Sequence, residues 1–426
     1  MLKSTKDKLA VAMGASLDWY DFALYGFFAV VFSKIFFPPD FSNSHALIYT
    51  LGIWFVGFAS RPLGGLIFGY IGDIYGRVIC FKLTSVLIMI PVCFFPFLPT
   101  YEKAGIIAPF LVLVLRVIQG LCIGGEFSGN IVYICEMSPK EKGYFYGSLG
   151  SCTGSFGILI ASIVSSIVHN TMNQSGIESV GWRIAYGFAI IFAVISFYMR
   201  RTIMETNSFM SRPEDCRNPL VEILTVHKKE ILIASGLVLL HSTSFYMLFF
   251  LLPIYLNKYY DMQTGNVIMS GALLLVFRIL LIPFIGLWAD RIGGKKILGA
   301  ATLIFLVTAY PCFCLISRNN IIIVNICMIF MAILTSMNAA AVPGLLMEIL
   351  PVKTRYASFA IVFNVCFAIL GGIVPSFSIF LVDYYENKLL PGVYLTLCSV
   401  LTLMVLQVFI KEDCHGKCYI YADNKL

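Results

Sequence analysis

The sequence predicts an all-α polytopic membrane protein, with twelve transmembrane helices in two pseudo-symmetric six-helix bundles, and three observations predict it. Hydrophobic residues make up 59% of the 426 positions and charged residues 12%, roughly half the charge of an ordinary soluble domain. No soluble fold of this length can hide so much apolar side chain. The apolar residues fall in runs of about 20, the length that crosses a bilayer core, separated by short polar links. Two of the links repeat. "GYIGDIYGR", Gly69 to Arg77, aligns with "GLWADRIGG", Gly286 to Gly294, pairing Gly69, Asp73 and Gly76 with Gly286, Asp290 and Gly293 at one offset. "EMSPKEKGY" from Glu136 is matched by "EILPVKTRY" from Glu348. Parallel repeats of this kind signify two bundles related by an axis along the membrane normal, with a substrate path between them.

The first run, Leu9 to Phe36, is interrupted by Asp18 and Asp21 and lacks a small-residue cleavage site, so it reads as a retained helix and not a signal peptide. Ala46 to Tyr70 contains Arg61 followed by Pro62, where a kink is expected. Ile79 to Leu98 comes next, then Ala104 to Cys135, which carries Arg116 and Glu126 with Gly124, Gly125 and Gly129 beside the acid. Tyr144 to Val168 and Trp182 to Met199 complete a first bundle, residues 1–199. The longest link, 200–229, holds "RPEDCRNPL" and reads as a connector with room for a short surface helix.

The second bundle, 230–410, runs through Glu230 to Leu256, Asn266 to Ala289, Ile297 to Ile316, Ile321 to Leu350, Tyr356 to Val382 and Gly392 to Ile410. Residues 411–426 form a short tail. The 13 cysteines are scattered through apolar runs, where reduced Cys acts as a small hydrophobe. The tail motif "CHGKC", Cys414 to Cys418, offers too few ligands to predict a metal site, and no cofactor is expected.

With the N-terminus inside, 21 of the 30 Lys and Arg residues fall on the cytoplasmic side, including the cluster Arg200, Arg201, Arg212, Arg217, Lys228 and Lys229. Six fall on the other face, and Arg61, Arg116 and Arg278 lie within helices. Both termini are therefore expected in the cytoplasm. This bias accounts for the net charge of +7, and a nucleic-acid partner is not required.

Charges inside the helices carry the chemistry, because a membrane-embedded acid or base faces protein or water. Counting from Lys8 puts Asp18 and Asp21 about 15 to 20 Å into the membrane. Spaced i, i+3, they share one face with Gly14 and Tyr25. Such a pair can exchange a proton; the alternative is that one Asp pairs with an arginine to hold the first helix in place. Arg116 and Glu126 lie about 15 Å apart along one helix and cannot pair with each other. The planar fork of Arg116 suits carboxylate capture, or it pairs with Asp21, and Glu126 either handles a proton or pairs with some other base. Arg278 has no acidic neighbour in its own helix, so its partner is another helix or a bound anion. Arg61 reads as architectural and His241 as a satisfied core histidine, while Asn338 and Asn364 are expected to bond neighbouring helices in preference to substrate. Trp19, Tyr20, Phe22 and Tyr25 can face a cation or simply pack. Asp73, Arg77, Glu136, Asp290, Arg291 and Glu348 have the chemistry for salt bridges between bundles that shut an inner gate, against a reading as plain surface charge.

"G-x-x-x-D-x-x-G-R", carried by Gly69, Asp73, Gly76 and Arg77, resembles the loop signature of the major facilitator superfamily. Together "DWYDFALYG", "RPLGGLIFGYIGDIYGR", "RVIQGLCIGGEFSG" and "WRIAYGF" resemble the metabolite:proton symporter family, which includes proline/betaine, alpha-ketoglutarate, shikimate and citrate carriers. The likeness covers nearly the whole chain. There are departures: Asp18 stands where the family usually has Glu, Ile74 and Val78 stand where it normally has basic residues, Gly294 lies opposite Arg77, and the long coiled-coil tail of osmosensing proline/betaine carriers is not expected here.

The resemblance implies a secondary transporter and not an enzyme. It would move a small carboxylate-bearing solute, either a zwitterion of the proline/betaine type or an organic acid, together with protons by alternating access. The expected setting is the bacterial inner membrane, in contact with lipid, as a monomer. On this reading Asp18, Asp21 and Glu126 couple protons, with Asp21 the first candidate because its depth is near that of Arg116. Arg116, Arg278, Tyr25 and Trp19 take the substrate. A non-transporting receptor on the same fold, hinted at by Ile74 and Val78, is one alternative. A di- or tricarboxylate symporter is another, although a tricarboxylate should need more midplane positive charge.

Overall fold

The computed structural model describes residues 2–211, 218–262, 264–412 and 418–420. Each apolar run folds as helix, since lipid leaves no other partner for backbone N–H and C=O groups. In chain order these are α1 (Leu2–Phe27, resumed as Ala29–Ile35), α2 (Asn43–Ala59, resumed as Arg61–Ile74), α3 (Arg77–Phe94), α4 (Ile107–Glu136), α5 (Gly143–Thr171) and α6 (Trp182–Arg200). They are followed by α7 (Lys228–Tyr246, resumed as Leu252–Tyr260), α8 (Thr264–Ile292), α9 (Gly294–Ile316), α10 (Ile321–Ile349), α11 (Arg355–Asn364, resumed as Val374–Tyr385) and α12 (Leu390–Phe409). Eleven helices among the described residues are long and apolar enough to cross a membrane. The twelfth is α1, which carries Asp18 and Asp21; its 26 residues make a rod of about 39 Å.

Several local features follow from the sequence. The break expected at Arg61 and Pro62 falls at Ser60, with Pro62 in the first turn of the resumed helix, where its missing N–H costs nothing. Wide π turns, Met247–Leu251 in α7 and Val365–Gly371 in α11, precede Pro253 and Pro375, each of which removes a backbone donor. In the connector a short helix, Pro219–Thr225, is capped by Asn218, whose side chain accepts from Leu220 N at 3.0 Å. Arg212 and Arg217, and the tail residues Cys414 to Lys417, lie outside the described residues.

The chain divides into two compact units: residues 1–137 with 153–216 (unit one), and residues 138–152 with 217–426 (unit two). In unit one α4 packs against α1, α2 and α3, and α6 against α1 and α3. The approach of α2 to α4 is set by small residues: a Cβ on Gly120 would strike Gly57 O and Ser60 Oγ, and one on Gly64 would strike the Leu121 backbone. Ser60 Oγ donates to Gly57 O at 2.8 Å at this crossing. In unit two α9 packs against α10 and α12, and α10 against α7 and α8.

The two repeated loops share one backbone device. Gly76 and Gly293 take φ of 111° and 97°, where a side chain would be strained, and each immediately precedes the next helix. After α12 the chain forms a small antiparallel hairpin, β1 (Ile410–Glu412) with β2 (Cys418–Ile420). Ile410, Cys418 and Ile420 are buried, and Lys295 Nζ donates to Ile410 O at 2.6 Å. Burial, with Glu348 nearby, pushes the Cys418 thiol up to about 12, so it is a protonated packing group at neutral pH.

The α2–α4 crossing generates a stability prediction. Gly120→Val should lower the thermal unfolding midpoint of the detergent-purified protein, at a cost of about 1 to 3 kcal/mol or more from overpacking. Gly52→Ala, where a Cβ would meet nothing within 4 Å, should leave the midpoint unchanged.

Candidate functional site

Unit one gathers three acids and three arginines among its membrane-embedded side chains, and the structure pairs them unequally. Asp21 accepts from Arg116 Nη1 at 3.0 Å and from Gln119 Nε2 at 2.6 Å, both on the same carboxylate oxygen, Oδ2. Arg116 donates its other terminal nitrogen to Tyr186 Oη at 2.8 Å. Its guanidinium lies over the rings of Tyr25 and Phe95, at 4.4 and 4.6 Å from their centroids, a geometry in which the ring quadrupole stabilises the charge. Tyr25 in turn donates to Thr50 O at 3.1 Å. Arg116 is fully buried and engaged on both sides, so of its two expected roles the structure displays the pair with Asp21.

Glu126 also finds a base, and it is one that loop counting had assigned to the cytoplasmic cluster. Arg200, the last residue of α6, is 1% exposed and forms an ion pair with Glu126, Nη2 to Oε1 at 2.5 Å. It also donates to Ala10 O at 3.3 Å, Ser85 Oγ at 2.8 Å and Val11 O at 3.0 Å. The sequence reading left the base that pairs with Glu126 unnamed, and the structure supplies Arg200. A residue at the polar end of an apolar run reads as solvated, yet an Arg stem can carry its head back along the helix. Space for it comes from Gly14, where a Cβ would collide with the guanidinium and meet Glu126 Oε1.

Asp18 is different. It is 1% exposed, and among the described residues neither of its carboxylate oxygens has a hydrogen-bond partner. Glu126, Arg200, Asp21 and Arg61 all lie within electrostatic range of it. The i, i+3 spacing does bring Asp18 and Asp21 into one region, but to different neighbours: Asp21 to Arg116 and Gln119, Asp18 toward the Glu126 and Arg200 pair. Trp19 packs edge-on against Phe127 at 5.6 Å, with the Arg61 guanidinium 5.3 Å from its ring centroid. Gln119 and Tyr186 were not singled out from sequence. Gln119 had a readable signal, because it follows Arg116 by three residues and so shares its face of α4.

In unit two the central cation is Arg278. It is 2% exposed and lies over Phe245 and Phe249, 5.2 and 5.8 Å from their centroids. Among the described residues its Nε and Nη1 have no hydrogen-bond partner and it forms no ion pair. His241 packs against Phe367 and Phe363, at 5.1 and 6.1 Å between centroids, with Nδ1 unbonded. The expectation of a satisfied histidine is thus met in packing but not in hydrogen bonding. Asn364 donates to Ala360 O of its own helix at 2.8 Å. Both amide atoms of Asn338 are buried without a partner among the described residues, contrary to the expected bond to a neighbouring helix.

The charges at the helix ends form two local clusters. In unit one Arg77 donates to Asp73 Oδ1 at 3.1 Å, to Gly72 O at 2.7 Å, and bidentately to Glu136 at 3.2 Å through both Nε and Nη2. Thr206 Oγ1 adds a bond to Glu136 at 2.7 Å. In unit two Asp290 accepts from the backbone N–H groups of Tyr144 and Phe145, at 2.9 and 3.2 Å, capping the start of α5. Glu348 accepts from Tyr144 Oη at 2.9 Å and from Cys418 N at 3.1 Å. Arg291 is exposed. The plain-surface reading therefore fails for Asp73, Arg77 and Glu136, and the salt bridges formed by these three run within unit one.

Residues 8–215 match the family model described as Sugar (and other) transporter, and residues 234–415 match that of the Major Facilitator Superfamily. The chain is 29% identical over 417 residues to the glycine betaine/proline/ectoine/pipecolic acid transporter OusA of Dickeya dadantii, covering 95% of this chain and 82% of that protein. It is 29% identical over 416 residues to the proline/betaine transporter of Escherichia coli, covering 94% and 82%. Among solved structures it is similar to the proton:xylose symporter XylE bound to 6-bromo-6-deoxy-D-glucose, with a TM-score of 0.77 at 18% identity over 95% of this chain and 94% of that one. The helices, the paired intramembrane charges and matches to each half in turn agree: the chain is a multi-pass membrane transporter, not an enzyme, and belongs to the major facilitator superfamily.

Proposed function

We propose that this transporter is a proton-coupled symporter of a small zwitterion of the proline/betaine type, with Asp18 carrying the coupling proton and Arg278 taking the substrate carboxylate. One observation carries the reading: among the described residues Asp18 in unit one and Arg278 in unit two are both buried in membrane-spanning helices, and neither forms an ion pair. Buried charge without a partner is costly, and chains retain it in membranes chiefly for function. The relatives, named as transporters of proline, glycine betaine, ectoine and pipecolic acid, agree with a carboxylate-bearing zwitterion.

Asp21 is the weaker choice for the proton. Its bonds to Arg116 and Gln119 would have to break before it accepted one, whereas protonating Asp18 breaks no hydrogen bond. Proton arrival on Asp18 changes the balance of three acids against three arginines in unit one and relaxes its repulsion with Glu126. Solute arrival supplies the carboxylate that Arg278 lacks. With the proton on Asp18 and the solute carboxylate on Arg278, the two buried groups that lack an ion pair are each neutralised, and the loaded carrier can change conformation at lower cost than the half-loaded one. Glu126 with Arg200, and Asp21 with Arg116, then serve as fixed pairs that hold α1, α4 and α6. Trp19 and Tyr25 support them through the Arg61 and Arg116 guanidinium groups. The lysine and arginine bias supports both termini lying in the cytoplasm, and the proton gradient sets the direction of net transport.

Proteoliposomes test the coupling. Asp18→Asn should abolish proline or betaine accumulation driven by an imposed pH gradient while solute counterflow at equal pH survives, because exchange needs no net proton movement. Asp21→Asn should behave differently, lowering the unfolding midpoint by leaving Arg116 buried and unpaired, at about 3 to 5 kcal/mol. Wild-type accumulation by Asp18→Asn would move the proton elsewhere, and solute binding without counterflow in the wild-type protein would favour a receptor.

The substrate contact has its own test. Arg278→Lys keeps the charge and loses the fork, so it should weaken proline or betaine binding by about 1.5 to 3 kcal/mol, the worth of a charge-assisted hydrogen bond. Isothermal titration on the purified protein reads this directly; unchanged affinity would return Arg278 to an architectural role.

A further inference from the structure

Away from the charge clusters, unit two carries an open groove of about 400 Å³ between α9 and α12. Gly299 and Leu303 of α9 and Leu403 of α12 give it an apolar lining, and Lys295, Lys296 and Glu412 border it where α9 begins and the tail hairpin leaves α12. Leu303 is 52% exposed, on a helix that spans the membrane, so this wall faces lipid chains. It lies about 10 Å along the helix from Lys296, which puts the apolar lining one headgroup's length below the lysines.

The polar end has a specific complement. Lys295 Nζ spends one donor on Ile410 O and has two more, and Lys296 is exposed. Glu412 Oε1 is buried with no hydrogen-bond partner among the described residues. An occupant should thus present an acyl chain, then a phosphate for the lysines, then an N–H-bearing cation for the carboxylate. A choline headgroup has the cation without the N–H, and a glycerol headgroup has no cation.

We propose that this groove binds one phospholipid with an ethanolamine headgroup: an acyl chain along Gly299, Leu303 and Leu403, the phosphate on Lys295 and Lys296, and the ammonium on Glu412. The tail hairpin is part of the site, since it supplies Glu412 and is tied to Lys295. The proposal is independent of proton coupling and of the transported solute.

Native mass spectrometry of the full-length, delipidated protein tests it with added palmitoyl-oleoyl phosphatidylethanolamine, phosphatidylcholine and phosphatidylglycerol. The wild-type protein should retain the ethanolamine lipid over the other two by about tenfold, the worth of one charge-assisted hydrogen bond. Glu412→Gln should erase the preference for ethanolamine over choline. Leu303→Trp, which fills the groove from an exposed position, should cut retention of the ethanolamine lipid while the unfolding midpoint holds. Equal retention of all three lipids by the wild-type protein, preference for the glycerol headgroup, or wild-type retention by Leu303→Trp would overturn the proposal.

Discussion

Charge burial is the constraint on which the rest of this structure depends. Lipid cannot stabilise a guanidinium or a carboxylate, so each must be met by protein, by water in a cavity or by a bound solute or proton. The helices of unit one are arranged around that requirement. Arg116 reaches from α4 to Asp21 on α1 and Tyr186 on α6, so one side chain fixes three helices. Arg200 does the same from the end of α6, reaching α1 carbonyls, Ser85 on α3 and Glu126 on α4. Small residues serve these contacts: Gly14 makes room for a guanidinium, while Gly64 and Gly120 let α2 approach α4 closely. The bonds made by Arg200 matter as much as the ion pair, because a charge buried against carbonyls and a hydroxyl loses less on leaving water.

The repeated loops show how one sequence pattern is put to two uses. Gly76 and Gly293 keep the same positive φ, so the backbone turn survives in both halves. The side chains diverge at the next position. Arg77 binds Asp73 and Glu136, fastening the end of α2 to the end of α4. Gly294 replaces that arginine, and a Cβ there would run into the Tyr144 ring. Tyr144 occupies the space, and its hydroxyl bonds Glu348, which is the counterpart of Glu136. Asp290, lacking an arginine at that position, caps α5 instead. Cys418 N supplies the second donor to Glu348. The start of α5 and the tail hairpin thus do in unit two what a single arginine does in unit one.

This divergence also marks how far the sequence can be read. Fold class, helix number and approximate helix positions were legible because apolar runs of bilayer length are a composition signal, and the repeat was legible because glycine and aspartate recur at one spacing. Partner choice was less so. The pairing of Arg116 with Asp21 stood among the readings, since both lie at similar depth. The pairing of Arg200 with Glu126 was not legible because residue counting stops at the end of the apolar run and ignores the length of an arginine stem. The tail hairpin left no trace, because two three-residue strands carry too little pattern to separate from loop. Asn338 was read as a helix-to-helix bond, and nothing in its neighbours signals that its amide would be left unbonded.

Asp18 joins the sequence and the structure most directly. Glutamate is the family's usual residue before the tryptophan of the first motif, and here the carboxylate is one methylene shorter. Arg200, the base within its electrostatic range that bears an ion pair, is taken by Glu126 at 2.5 Å. A shorter side chain competes poorly for a guanidinium already held by another acid and by two backbone carbonyls. Glu126 anchors α6 to α4, and Asp18 is left in the same electrostatic field without a bond of its own. Among the described residues, adding or removing its proton would change the buried charge of the unit without dismantling a hydrogen bond, which suits Asp18 to the coupling role proposed for it.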